Sequence, residues 1–131
     1  MTDKELFLER HKDSPKDLFR YAFHVIKGRW LEAESVIMTS PEYAYYYSRY
    51  ITGERWPEAE PTIIKNATYA YTYSRDMIKG RWPEAEPTIM ADKEYAYHYA
   101  LSIINGRWPE AEPTIMKDDD YWRHYKSHFK L

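Results

Sequence analysis

Four tryptophans, Trp30, Trp56, Trp82 and Trp108, stand 26 residues apart with no insertion between them. Around the third runs Gly80-Arg81-Trp82-Pro83-Glu84-Ala85-Glu86-Pro87-Thr88-Ile89-Met90, and the stretch from Arg107 to Met116 repeats it from the arginine onward. Arg55 to Ile64 differs only at its last residue, and Arg29 to Met38 is a degenerate copy with Leu31 and Ser35 in place of the prolines. A fixed period of this length is the signature of a repeat architecture, in which one supersecondary motif recurs and neighbours bury each other's apolar faces.

Between tryptophans lies a second periodic feature. Tyr43, Ala44, Tyr47, Ser48 and Ile51 are matched by Tyr69, Ala70, Tyr73, Ser74 and Met77, then by Tyr95, Ala96, Tyr99, Ala100 and Ile103. These offsets make one stripe of an α-helix. Leu18, Tyr21, Ala22 and Val25 form an earlier version of it. Ser14-Pro15 and Ser40-Pro41 read as an N-cap followed by proline at the first helical position. Gly28, Gly53, Gly80 and Gly106 close the helices, each placed to take positive φ, with Gly53 displaced by one residue and Glu54 filling the gap. Pro57, Pro83 and Pro109 suit the start of a short helix, which Pro61, Pro87 and Pro113 should kink or limit to about two turns.

The fold class is therefore all-α: a small α-solenoid of about four 26-residue helix-turn-helix repeats, short helix then long, with capping helices at both ends. Residues 1–131 read as one domain, with 1–27 an N-terminal cap and first long helix, 28–117 the repeats and 118–131 the C-terminal capping helix. Thr2 and Glu5 make a capping box for the first helix. Tyr121, Tyr125 and Phe129 keep the stripe in the last helix, where Trp122 replaces the small residue.

The Gly-Arg-Trp-Pro-Glu-Ala-Glu motif resembles the short helical repeats of uncharacterised proteins from tailed bacteriophages and some other viruses. The resemblance covers about Asp17 to Tyr125, with the first and last copies departing from it. It implies a viral origin and carries no activity with it.

With 19 basic and 21 acidic residues the net charge is −2, which disfavours a protein held on nucleic acid by broad electrostatics. No cysteine is present, which excludes disulfide and thiolate chemistry and suits the cytoplasm, a host's if the chain is viral. No apolar run approaches a membrane span. Nothing resembles a phosphate loop, a nucleophile elbow or a Ser/His/Asp set, so neither a cofactor nor catalysis is expected.

Several recurring residues bear on function. Arg29, Arg55, Arg81 and Arg107 with the paired glutamates read as an ion-pair ladder; an acid–base site needs one asymmetric constellation, not four copies. Trp30, Trp56, Trp82 and Trp108 read as inter-repeat core. Tyr45, Tyr71 and Tyr97 fall off the buried stripe in one register, with Tyr46 and Tyr50 beside the first and with Arg49 and Arg75 four residues on. Two readings stand side by side: a partner-binding aromatic row, or packing on the next helix that thickens the core. As a binding surface it suits a protein's acidic or aromatic segment, and after that a single nucleic-acid strand or a small ligand. Repeats this similar fit a monomer or a small homo-oligomer. His98, His124 and His128, with Asp120, are weak metal candidates, since His124 and His128 are four apart but no His-Glu-x-x-His pattern accompanies them.

Overall fold

The computed structural model describes all of residues 1–131 and is helical, with no strand. Helix α1 spans Asp3–Arg10, α2 Pro15–Tyr21, α3 Leu31–Ile37, α4 Pro41–Tyr47 and α5 Glu60–Ile63. Then follow α6 Ala67–Tyr73, α7 Glu86–Met90, α8 Lys93–Tyr99, α9 Glu112–Ile115 and α10 Asp119–Phe129. Two compact units divide the chain, Met1–Ile63 and Ile64–Leu131. In the first, the long helices α2 and α4 pack side by side, α3 lies against both and α5 packs on α4. In the second, α8 packs between α6 and α10, with α7 against α6 and α8 and α9 against α8. The repeated motif is thus a helix pair, and its packing is that of a helical-repeat protein.

Local chemistry sets each boundary. The long helices start at Ser14, Ser40, Asn66, Asp92 and Asp118, spaced by the repeat, and each cap's side chain accepts from the backbone N–H three residues on. Ser, Asn and Asp interchange because each supplies an oxygen at that point. At the N-terminus Thr2 Oγ1 accepts from the Glu5 N–H at 3.1 Å and donates to the Glu5 carboxylate at 3.0 Å. Glu5 therefore meets the cap's hydroxyl and not its backbone N–H.

The ends of the long helices depart from the sequence expectation. All but α10 widen into one π-helical turn, Ala22–Ile26, Ser48–Thr52, Ser74–Ile78 and Ala100–Ile104. The left-handed residue that closes the turn is Lys27 (φ 60°), Gly53 (72°), Lys79 (63°) or Asn105 (57°). Only Gly53 is the glycine the sequence nominated; Gly28, Gly80 and Gly106 follow the left-handed position by one. The apparent displacement of Gly53 disappears, because it alone sits in that position. Its amide donates to Ser48 O at 2.8 Å, as that of Lys79 donates to Ser74 O at 2.7 Å. Adding a Cβ at Gly53 strains φ, whereas Gly80 has no positive φ and its added Cβ meets nothing within 4 Å. Gly53→Ala is therefore expected to cost about 1 kcal/mol and Gly80→Ala under about 0.5; thermal denaturation of the two variants compares them.

The prolines divide the short helix. Where both are absent, α3 runs unbroken from Leu31 to Ile37. In the third and fourth copies a 3₁₀ turn, Pro83–Ala85 or Pro109–Ala111, precedes α7 or α9. Pro87 and Pro113 open that α-helical segment, where a missing N–H goes unnoticed. Each copy turns its tryptophan, alanine and isoleucine inward. Ala33, Ala59, Ala85 and Ala111 are fully buried, as are Ile37, Ile63, Ile89 and Ile115, and such burial contributes roughly 1.5–3 kcal/mol per large side chain. The prolines stay exposed. Val25, expected inward, is 59 % exposed. Its counterparts Ile51, Met77 and Ile103 are half-buried.

Candidate partner-binding surface

The recurring charges and tryptophans make one recurring hydrogen-bonded assembly. Each arginine grips the glutamate five residues on with two parallel bonds: Arg29–Glu34 at 3.1 and 3.1 Å, Arg55–Glu60 at 2.9 and 2.9 Å, Arg81–Glu86 at 2.8 and 2.8 Å, and Arg107–Glu112 at 2.9 and 2.8 Å. The carboxylate also accepts a tyrosine hydroxyl from the next long helix: Tyr47 to Glu34 at 2.5 Å, Tyr99 to Glu86 at 2.7 Å and Tyr125 to Glu112 at 2.7 Å. That hydroxyl oxygen in turn accepts the backbone N–H of Trp30, Trp82 or Trp108 at 2.8–2.9 Å. Its ring faces forward, with Tyr47 4.9 Å from Trp56 and Tyr99 4.9 Å from Trp108. Tyr125 instead stacks on Trp122 of its own helix at 5.4 Å. At the other end Phe7 stacks on Tyr21 at 4.2 Å, and Tyr21 lies 5.2 Å from Trp30.

Electrostatics fixes the protonation of this assembly. The arginine's hydrogen bonds hold Glu86 and Glu112 below the usual carboxylate range, against the opposing effect of burial. Burial pushes the Tyr47 and Tyr125 phenols up to about 12, and it raises Tyr99 as well. Glu86 and Glu112 are anions, and Tyr47, Tyr99 and Tyr125 neutral donors, over the whole physiological range. The first glutamate of each pair, Glu32, Glu58, Glu84 or Glu110, stays exposed. Within each unit arginine, second glutamate, tyrosine and tryptophan together join one repeat to the next.

The tyrosine row divides on burial. Tyr45 and Tyr71 are 5 % and 7 % exposed, so they do not form the exposed row expected of a binding surface. Tyr71 donates to Ser102 Oγ at 3.2 Å and its ring lies 5.6 Å from Tyr95, so it packs on the next long helix. Tyr97, half-buried, lies 5.1 Å from Tyr121 of α10. Arg75 pairs with Asp76 at 2.8 and 2.9 Å and lies over the Tyr71 ring at 5.6 Å. The weak metal candidates do not come together. His98 sits among Tyr71, Tyr95, Tyr97 and Tyr121 at 5.1–6.1 Å. His124 is exposed, His128 packs edge-on against Phe129 at 4.8 Å, and Asp120 pairs with Arg123 at 2.9 Å. No group of three His, Cys, Asp or Glu side chains is placed to hold an ion.

Exposure points elsewhere. Phe23, at 42 %, and Tyr50, at 55 %, are the only Phe, Tyr or Trp side chains left exposed, and their rings meet edge to face at 6.4 Å. They top a cluster built by α2, α4 and their π-helical turns. Phe19 lies 5.9 Å from Phe23, 5.8 Å from Tyr43 and 5.9 Å from Tyr46. Tyr46 lies 6.2 Å from Tyr50, and Arg49 lies over the Tyr50 ring at 5.5 Å. Beside the exposed pair an open depression of about 210 Å³ is lined by Phe23, Lys27, Gly28, Tyr50 and Ile51. Tyr46, Tyr50 and Arg49 were legible in the sequence. Phe19 and Phe23 were not, although Phe19 occupies the register of Tyr45 and Phe23 follows one turn later on the same face.

Fold and surface together define an all-α, tyrosine-rich helical-repeat protein. No helix is long and apolar enough to cross a membrane. No protein-family model matches the chain, and no curated protein or solved structure matches it.

Proposed function

We propose that the chain is a non-enzymatic protein-binding repeat module, and that its partner docks on the face formed by Phe19, Phe23, Tyr46 and Tyr50. The observation that carries this reading is the convergence of Phe23 and Tyr50. A fold that buries or half-buries every other large aromatic side chain leaves these two in water and in contact. Exposed aromatic side chains that meet in one patch are the usual anchors of interfaces. In the other repeats the position of Phe23 carries Arg49, Arg75 or Leu101 and that of Tyr50 carries His24, Asp76 or Ser102, so the repeat itself does not demand an aromatic ring at either. The likeness of the repeat motif to viral ones directs the search to host and phage proteins.

The test is affinity capture from a bacterial lysate, with nuclease treatment in parallel, using the chain and its Phe23→Ser/Tyr50→Ser variant. Both sites are exposed, so circular dichroism should show unchanged helicity. A stoichiometric protein that survives nuclease and is lost from the variant supports the reading. Identical catches on both proteins, or a catch that vanishes with nuclease, would overturn it.

A further inference from the structure

The charge around the patch runs against that of the chain. At a net charge of −2 the molecule is slightly acidic, yet cations border these rings. Lys27 lines the depression with Phe23 and Tyr50, and Arg49 lies 5.5 Å from the Tyr50 ring centre. Arg20, exposed, lies one turn before Phe23 along the same helix, and the His24 ring packs edge-on against Phe23 at 5.0 Å. Glu42, beside Tyr43, offsets one of them.

Resting on the docking face proposed above, we infer that its occupant is an acidic peptide segment carrying one large apolar side chain, which enters the depression between Phe23 and Tyr50 while its carboxylates face Arg20, Lys27 and Arg49. Three observations select this occupant. The depression, about 210 Å³, has room for one side chain of leucine or phenylalanine size. The bordering groups are cationic, and two are arginines, whose planar donors suit carboxylates. A nucleic-acid strand fits less well, because successive bases need open ring faces along a cationic track. Here Phe23 and Tyr50 meet at 81°, so that the edge of one ring covers a face of the other.

A yeast-displayed library of random 12-residue peptides, selected on the intact chain, tests this directly. Enriched peptides are expected to carry an excess of Asp and Glu around one Phe, Leu or Trp. Fluorescence polarisation with the best synthetic peptide should show binding weakened roughly thirtyfold by Phe23→Ser, and roughly tenfold by Arg20→Glu/Lys27→Glu. Enriched peptides that lose binding to Phe23→Ser but are neutral or basic would overturn the inference and leave the docking face standing. An empty selection, or peptides indifferent to Phe23→Ser, would overturn both. A labelled 20-nucleotide oligo-dT that binds through the same residues and displaces the peptide would overturn the inference in favour of nucleic acid.

Discussion

Trp82→Ala is expected to destabilise the protein by about 3–5 kcal/mol, the range for removing a large aromatic side chain from a packed core. Trp82 is 3 % exposed and lies 5.0 Å from the Tyr73 ring, so the alanine leaves a cavity. The substitution keeps the backbone N–H, hence the bond to the Tyr99 hydroxyl at 2.8 Å, and isolates the loss of packing from the loss of a hydrogen bond. For a chain of this length the melting temperature should fall by roughly 10–20 °C. Trp122→Ala should cost less, because that ring is half-buried and covers the end of the second unit. Urea unfolding followed by circular dichroism measures both. Equal effects from the two would show that the periodic tryptophans are no more central than the capping one.

The second large effect is alkaline. Tyr47 and Tyr125, fully buried, are pushed up to about 12 when folded and ionise near the ordinary phenol value of 10.0 when unfolded. Above pH 10 the unfolded chain releases phenolic protons that the folded chain retains. Stability from this source is thus complete below pH 10 and declines as pH rises toward 12. The loss is on the order of 2 kcal/mol for each ring, with Tyr99 adding to it in the same direction. Denaturant unfolding at stepped pH, with phenolate absorbance followed in parallel, should show stability falling together with tyrosine ionisation. Flat stability from pH 9 to 12 would mean that the hydroxyls are not held as the structure places them. At the acid end, Glu86 and Glu112 act oppositely: what they contribute is lost only as pH falls below the usual carboxylate range.

Period, helix pairing and the inward tryptophan, alanine and isoleucine were legible because each depends on residues close in sequence. What escaped depends on separation or on flanks. Trp30 N–H and the Tyr47 hydroxyl are 17 residues apart, and no local rule pairs them. The turn that ends each long helix gave glycine as its signal. The conformation itself is set one residue earlier by the π-helical closure, where Lys27 and Lys79 accept a left-handed backbone. Tyr45 and Tyr71 looked peripheral on a single helical stripe. Tyr71 is covered by the next long helix, through Tyr95 and Ser102, so α6 buries a wider arc than one stripe. Phe23 and Tyr50 lack such cover, which a helical wheel cannot show.

The tyrosine that reaches back with its hydroxyl and forward with its ring has an evolutionary corollary. Trp82 and Trp108 each present the same amide, and Tyr99 and Tyr125 each answer it with the same oxygen at 2.8 Å. A copy gained between them by unequal recombination finds its donors and acceptors already matched on either side. A copy lost leaves the remaining ends to pair with one another. Array length is consequently a trait that such a gene can change at little risk to folding, provided each copy keeps the tyrosine hydroxyl and the tryptophan amide that answer one another.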